Sequence, residues 1–407
     1  MRVAPPDTLW RVSFVLSHAG DAVRLAFEMF WAVLWPLALG FLLSAIVETF
    51  VSKQAISRFL GRGGVRPVAL ATAFGAASSS CSYAAVAVGR TLFRKGATLS
   101  NAIIFEFAST NLVFELGLAL LVLLGWQFLA AEFAGGLFMV VLLALVFRAT
   151  LTPRLTESAR VQAERGLLGR MEGHGAMDMS VTGGSLWQRI RAPQALTSMS
   201  HYFFMNVYGL WVDLVLGFLI AGAIGAWVPA AFWSHLFLGG NGFGPEVWSA
   251  FIGPLVALLS YVCSVGNVPL AAILWRNGIG FSGAIAFVFG DLIIIPILNI
   301  YRKYYGARVA AYLTAVSYVT MVAAGLAVGA LFIALGWVPG NRNVAAFSTS
   351  IAWDSTTFLD IAVLVVMALL LVRFLRTGGV AMLRMMDMPS DHMAHHADSA
   401  ADHASSS

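Results

Sequence analysis

Long apolar stretches recur along the whole chain and leave few ways for it to fold. A helix needs roughly 20 apolar residues to cross the hydrocarbon core of a bilayer. About nine such stretches can be marked: residues 25–50, 68–93, 97–126, 134–147, 205–228, 251–275, 281–300, 309–337 and 357–375. Apolar residues make up 59% of the chain and charged residues only 11%, unlike an ordinary soluble domain. The sequence therefore predicts an all-α polytopic membrane protein with eight or nine hydrophobic segments.

The second half of the chain repeats a pattern of the first half. The two cysteines, Cys81 and Cys263, are 263 − 81 = 182 residues apart. The same offset pairs Gly96 with Gly278, Ser100 with Ser282, Ala102 with Ala284 and Phe105 with Phe287. Repeats of this kind are common in secondary transporters. We therefore predict a tandem internal repeat, with one membrane unit over residues 25–150 and the other over residues 201–337.

Four further segments surround the two repeats. They are an N-terminal segment (1–24), a basic loop (151–200), a loop with a final transmembrane helix (338–376) and a tail rich in His and Met (377–407). Seven arginines lie between Phe147 and Pro193, whereas residues 127–136 and 229–246 carry no Lys or Arg. Because cytoplasmic loops are enriched in Lys and Arg, the basic loop is expected inside and the other two outside.

The orientation of the two repeats depends on the cysteine segments, residues 68–93 and 251–275. Gly75 to Ser80 is a run of small and polar residues that suits a broken helix or a re-entrant hairpin inside the protein better than a helix facing lipid. If these segments do not cross, each half crosses three times and the repeat is inverted, which is the interpretation we favour. If they cross fully, the repeat is parallel.

Two stretches carry a resemblance to a known family. Ser78 to Val86 and Cys263 to Leu270, each followed by a basic-Gly turn and a Phe-containing helix, resemble the twin signatures of the ArsP/YraQ-like permease family. The resemblance covers about residues 34–337 and implies a multi-spanning permease of the inner membrane. The better-understood members of that family export trivalent organoarsenicals.

The chain departs from the usual family signature. That signature has a Cys-Ser-Cys core with a Pro shortly after it, but Tyr83 and Val265 stand where the second cysteines would be, and of the prolines only Pro269 is kept. Capture of arsenic by two thiols of one repeat is therefore not available. One thiol from each repeat could still meet at the repeat interface.

The residues around the cysteines are the first candidates for a substrate site: Cys81, Ser82, Cys263, Ser264 and Asn267. Thiols prefer soft metals and metalloids. The alternative for a lone cysteine in a membrane segment is a small packing residue, and a disulfide between the repeats is a third alternative. The Asn267 amide suits either a substrate or a bond between helices.

Acidic and polar residues within apolar segments are the second group of candidates: Glu106, Ser109, Asn111 and Asp291. An ionisable group in a membrane segment is costly and marks a functional site by default. On a continuous helix Glu106 and Ser109 share one face, and Asn111 lies on nearly the opposite one. A break near residues 108–111 would let them face one cavity, with an equivalent break at Gly290-Asp291. A carboxylate there could carry a coupled proton or hold a cationic substrate, or it could be paired structurally.

The basic loop and the tail both contain clusters of Met, His and acidic residues. His174, Met177 and Met179 lie in the loop, and His392, His395 and His396 lie in the tail. Imidazole, thioether and carboxylate groups can bind copper, nickel or zinc. The spacing enforces no single geometry, so a tail without a specific ligand stays an alternative.

These observations together predict a secondary permease of the inner (cytoplasmic) membrane that exports a small solute, first of all a soft metal or metalloid species. The alternatives are a permease for an unrelated solute, and a membrane scaffold or metal-sensing partner. No phosphate-binding loop or catalytic constellation is present, so neither an enzyme nor a cofactor is expected. The expected partners are the substrate and the lipid bilayer, with a homo-oligomer left open. The net charge of +5 is explained by topology-setting arginines rather than by nucleic-acid binding.

Overall fold

The computed structural model describes residues 6–50, 60–61, 64–78, 82–163, 179–181, 186–238, 242–260, 264–342 and 355–386. The regular secondary structure in these residues is helical. The α-helices are α1 (Pro6–Phe50), α2 (Val65–Ser78), α3 (Ser82–Arg94), α4 (Leu99–Asn111), α5 (Phe114–Leu123), α6 (Trp126–Thr150), α7 (Pro153–Ala163), α8 (Leu186–Arg191), α9 (Pro193–Trp227), α10 (Ala230–Leu236), α11 (Phe243–Ser260), α12 (Ser264–Arg276), α13 (Phe281–Val288), α14 (Ile295–Tyr305), α15 (Ala307–Leu335), α16 (Ser355–Arg376) and α17 (Gly379–Met386). A 3-10 helix, Phe289–Ile293, joins α13 to α14.

Five helical stretches among the described residues are long and apolar enough to cross a membrane. They are Leu99–Leu123, Trp126–Thr150, Pro193–Trp227, Ala307–Leu335 and Thr357–Arg376. A sixth is present if Phe281–Ile293 and Ile295–Tyr305, which meet at a bend of 42°, count as one span. The prediction of an all-helical protein with several apolar spans is confirmed, whereas the full set of eight or nine segments stays a prediction.

Helices in the two halves have matching bounds. At an offset of 182 residues, the first and last residues of α3 (82 and 94) correspond to those of α12 (264 and 276). The first residues of α4 (99) and α13 (281) correspond in the same way, and so do the last residues of α5 (123) and α14 (305). The turns that follow α3 and α12 are also alike, because Gly96 and Gly278 have φ angles of 105° and 107°. Glycine adopts this left-handed region without the steric cost that a side chain would bring.

The helices α2 and α3 both pack against α4. A Cβ atom on Gly75 of α2 would lie 2.6 Å from the carbonyl oxygen of Phe105, and one on Gly89 of α3 would lie 2.6 Å from Cγ of Glu106. In a single straight helix, these two glycines would be roughly 21 Å apart along the axis. Because both glycines reach the same turn of α4, α2 and α3 cannot be parts of one straight helix.

One end of the bundle is formed by α7 with the C-terminal ends of α3 and α14. Arg90 of α3 donates a hydrogen bond to the carbonyl oxygen of Ala163 at 2.9 Å. Gln162 of α7 donates to the carbonyl oxygen of Lys303 at 3.0 Å. The C-terminal ends of α3 and α14 therefore lie at the same end of the molecule.

The opposite end is formed by the C-terminal end of α12 and the segment after α15. The Arg342 guanidinium donates to the carbonyl oxygens of Trp275 and Ile279 at 3.0 and 2.9 Å. The Trp275 ring packs against Phe281, with 6.2 Å between centroids, and Phe281 begins the bent span that ends at Tyr305 beside α3. The C-terminal ends of α3 and α12, whose bounds match, therefore lie at opposite ends of the protein.

A seam of small residues brings α11 close to α13 and the 3-10 helix. Its members are Ser249, Gly253 and Ala257 on one side and Gly283 and Gly290 on the other. A Cβ atom on Gly253 would lie only 2.4 Å from the carbonyl oxygen of Gly283. Small residues at helix contacts let backbones approach closely, which is how membrane helices gain packing energy.

Replacing Gly253 tests this seam. We expect Gly253→Ala to destabilise the protein by about 1–3 kcal/mol, because the added methyl group meets backbone atoms that cannot rotate away. The matched control is Gly20→Ala in α1, where a Cβ atom meets no neighbour within 4 Å. The measurement is the Tm of each purified variant in detergent. An equal Tm for the two variants would contradict the close approach.

Candidate functional site

Polar residues gather where two apolar spans, residues 99–123 and 281–305, are interrupted. The helix α4 ends at Asn111 and α5 begins at Phe114, so the break lies at Leu112-Val113. In the second half, the 3-10 helix places Asp291 at the corresponding interruption. Irregular backbone at membrane depth survives only inside the protein, where its polar groups find partners. The breaks therefore mark an internal polar region rather than a surface facing lipid.

Asp291 connects the two halves at this region. The side chain is fully buried, and one carboxylate oxygen accepts a hydrogen bond from the Ser82 hydroxyl at 2.7 Å. The other accepts one from the Asn111 side-chain amide at 3.4 Å. Ser82 is the first residue of α3 and Asn111 is the last of α4, so two helix ends of the first half meet a carboxylate of the second. Three residues that the sequence singled out separately thus form one cluster.

Glu106 makes a second connection between the halves. Its carboxylate accepts hydrogen bonds from the hydroxyl groups of Tyr301 at 2.9 Å and Tyr305 at 3.3 Å, both on α14. Gly89 of α3 leaves the space that the Glu106 side chain occupies. Ser109 does not contact this carboxylate, because its hydroxyl donates to the carbonyl oxygen of Glu106 at 2.9 Å within α4. The tyrosines had no distinguishing signal in the sequence, since aromatic residues at a helix end are common.

Glu132 of α6 is a further buried carboxylate, and no pattern in the sequence had marked it. Its exposed fraction is 0%, and within the described part of the chain neither of its oxygens has a hydrogen-bond partner. The helix α6 begins at Trp126, eight residues before the apolar stretch marked from residue 134, so Glu132 had been assigned to an outer loop. An acidic residue close before an apolar stretch was the signal that could have revealed it.

The other predicted site residues have different outcomes. Ser264 and Asn267 are buried in the first turn of α12. Ser264 is the first residue of α12, as Ser82 is of α3. Met179 is partly buried, and its backbone N–H donates to the Tyr202 hydroxyl at 2.7 Å. The remaining predicted residues lie outside the described residues: Cys81, Cys263, His174, Met177, His392, His395 and His396.

Metal binding by the loop and tail therefore stays a prediction. Within the ranges that the structure describes, there is no group of three or more His, Cys, Asp or Glu side chains that could hold a metal ion. Most of the candidate ligands belong to the segments outside those ranges.

The polar cluster is closed to solvent in this conformation. Ser82, Glu106, Asn111, Asp291 and Glu132 are each at most 1% exposed.

The hydrogen bonds to Glu106 give a testable expectation. We expect Tyr301→Phe to lower stability by about 1–3 kcal/mol, since it removes a donor and leaves a buried carboxyl oxygen unsatisfied. Tyr312→Phe is the control, because the Tyr312 hydroxyl pairs with Thr150 at the exposed end of α15. Thermal unfolding in detergent measures both effects. A Tyr312→Phe variant that loses as much as Tyr301→Phe would argue against a special role for the buried contact.

Comparison with known proteins places the chain in a family. Residues 18–330 match the ArsP_1 family, which is described as "Predicted permease". The Mycobacterium tuberculosis protein Rv2963, which is named as a permease, is 51% identical over 347 residues, covering 84% of this chain and 86% of the relative. No solved structure matches the chain. With the family matched over most of its length, several apolar spans and a buried polar cluster between its halves, the chain is a multi-pass membrane protein that belongs to the ArsP_1 permease family.

Proposed function

We propose that the protein is a secondary permease of the cytoplasmic membrane that exports a small solute by alternating access. The observation that carries this proposal is the buried Asp291 carboxylate, held by Ser82 and Asn111 where two helical spans are interrupted between the halves. Transporters commonly bind substrate near the bilayer midplane, at broken helices between repeats. Family membership supports the permease activity. The buried cluster supports the position of the transport site at the interrupted helices.

The proposal includes an inverted internal repeat. Matching helix bounds at an offset of 182 support the duplication, and the placement of the ends of α3 and α12 at opposite ends of the bundle supports the inversion. The helices α2 and α3, which both reach the same turn of α4, would form a re-entrant segment that enters and leaves on one side. In such folds one repeat rocks against the other around a fixed site.

We infer that the end formed by α7 faces the cytoplasm. It carries Arg94, Lys95, Arg154, Arg160, Arg302 and Lys303, whereas the opposite end carries Arg276 and Arg342. Cytoplasmic loops are enriched in Lys and Arg, and this assignment places most of these basic residues on the cytoplasmic side. The basic loop and the tail after α17 would then lie inside.

The proposed transport site comprises Ser82, Asn111 and Asp291, with Ser264 and Asn267 on the equivalent helix and with Cys81 and Cys263. The two cysteines directly precede Ser82 and Ser264 in the chain. Thiolates bind soft metals and metalloids in preference to oxygen ligands, so a soft species is the first candidate substrate. Opening the site requires the contacts from Asp291 and Glu106 across the halves to be broken or exchanged.

Uptake into everted membrane vesicles tests the substrate class. We expect saturable uptake of at least one species in a panel of arsenite, antimonite and Cu(I), and we expect Cys81→Ser/Cys263→Ser to abolish it because the soft ligands are gone. The control variant lacks residues 171–179 and the tail after Met388, and it should transport normally. Loss of function in the control variant only would contradict transport through the cysteines and favour the scaffold or metal-sensing alternative. Absence of uptake of every species would remove the soft-substrate proposal.

The role of Asp291 has a separate test. We expect Asp291→Asn to reduce uptake more than about tenfold, equivalent to about 1.4 kcal/mol in the barrier, because the amide keeps the shape but loses the charge that would bind or balance a cation. Asp21→Asn, at an exposed position of α1, is the matched control and should transport normally. The same vesicle assay measures both. Full activity of a folded Asp291→Asn variant would exclude Asp291 from the transport site.

A further inference from the structure

Glu132 has no part in the site proposed above, although it lies in the same region. It is the seventh residue of α6, roughly 9 Å along the axis from the first. Both side-chain oxygens are buried without a hydrogen-bond partner in the described residues. A buried polar group without a partner is costly, and an ionised one is far more so. The position therefore calls for an explanation beyond packing.

The surroundings of Glu132 on α6 are apolar. Phe128, one turn earlier, packs against Phe281 with 4.9 Å between ring centroids. Gly135, about one turn later, leaves room for the Phe289 ring, because a Cβ atom there would lie 2.8 Å from Cζ of Phe289. These contacts lay Glu132 alongside the bent span and leave it shielded from water.

Asp291, two residues after Phe289, is the nearby charge. The contact between Gly135 and the Phe289 ring brings the 3-10 helix of Asp291 next to the part of α6 that carries Glu132, so a charge on one carboxyl group would oppose a charge on the other. Ser82 and Asn111 donate their hydrogen bonds to Asp291 and none to Glu132. Hydrogen bonds from donors stabilise the ionised form of a carboxylate. When only one of the two groups is ionised, the charge therefore belongs on Asp291 and the proton on Glu132.

No described cation compensates Glu132. The helices packed against α6 carry further ionisable groups, namely Glu106 on α4, Glu115 on α5, and Arg308, Tyr312 and Tyr318 on α15. Glu106 accepts from two tyrosines of α14, Glu115 packs against Gly40 of α1, Tyr312 pairs with Thr150, and Tyr318 donates to the carbonyl oxygen of Phe251. Arg308 is the second residue of α15, at the end next to α7. A proton is then the simplest way to neutralise Glu132.

We propose that Glu132 is a proton-binding site, and that the proton it exchanges is the ion coupled to transport. The proton adds to a Glu132 oxygen in the closed form and leaves to solvent when the site opens. A hard metal cation at Glu132 would need several oxygen ligands, and the apolar neighbours of Glu132 on α6 do not supply them. The coupling step rests on the proposed permease function, whereas proton binding does not.

Infrared difference spectroscopy of the purified full-length protein tests proton binding without any solute. We expect the wild type at neutral pH to show the carbonyl stretch of a protonated carboxylic acid, lost as the pH is raised. Glu132→Gln should lose one titrating carboxyl signal per chain, and Glu157→Gln, an exposed carboxylate on α7, should match the wild type. In Asp291→Asn the Glu132 signal should disappear at lower pH, because the opposing charge is gone. If the Glu132 proton is only structural, Glu132→Gln would leave the dependence of vesicle uptake on the pH gradient unchanged, and that result would overturn the coupling step.

Three results would overturn the proposal. The first is a Glu132→Gln spectrum identical to that of the wild type. The second is a Glu132 signal whose titration is unchanged in Asp291→Asn. The third is loss of the protonated signal on adding sodium chloride but not choline chloride, which would assign the site to Na⁺. If Glu132→Gln does not fold, Glu132→Asp replaces it, and an unshifted carbonyl band in that variant would equally overturn the proposal. Since no solute is present, these results are independent of whether the vesicle assay succeeds.

Discussion

The structure depends on how acidic groups are held inside an apolar bundle. Lipid offers no hydrogen bonds, so a carboxylate at this depth needs donors from the protein or must be neutral. Asp291 obtains its donors from Ser82 and Asn111, and Glu106 obtains its donors from Tyr301 and Tyr305. In both cases the acid and its donors come from different halves. The same contacts that satisfy the acids therefore hold the halves together in the closed form.

This arrangement explains why the spans are broken where they are. In the first half, α4 continues through Asn111 and the span is interrupted directly after it, whereas a continuous helix at residues 281–305 would keep Asp291 within an unbroken hydrogen-bond ladder. The breaks after Asn111 and within Phe289–Ile293 instead direct polar side chains towards the facing half. Close seams such as Gly253 on Gly283 keep the helices near enough for these short polar contacts. Hydrogen bonding of the buried acids therefore depends on the close packing of the helices.

Much of the architecture could be predicted from the sequence, because apolar length and the positions of Gly, Pro and acidic residues are local signals. The helical class followed from stretches such as residues 97–126, and Glu106 and Asp291 were recognised because charges are rare in such stretches. The partners of these acids could not be predicted. That Tyr301 and Tyr305 reach Glu106, or that Ser82 reaches Asp291, depends on how helices some 200 residues apart pack together. Glu132 was missed because hydropathy alone placed the start of its helix too late.

We propose that the buried cluster around Asp291 opens alternately to the two sides of the membrane. The most direct measurement is labelling of a single thiol, Ser82→Cys in a Cys81→Ser/Cys263→Ser background, by a membrane-impermeant maleimide added to right-side-out or to everted vesicles. The account predicts slow modification from both sides, because the closed form described here must exchange with two open forms. A thiol that is never modified from either side in folded protein would show a permanently packed core and contradict the account.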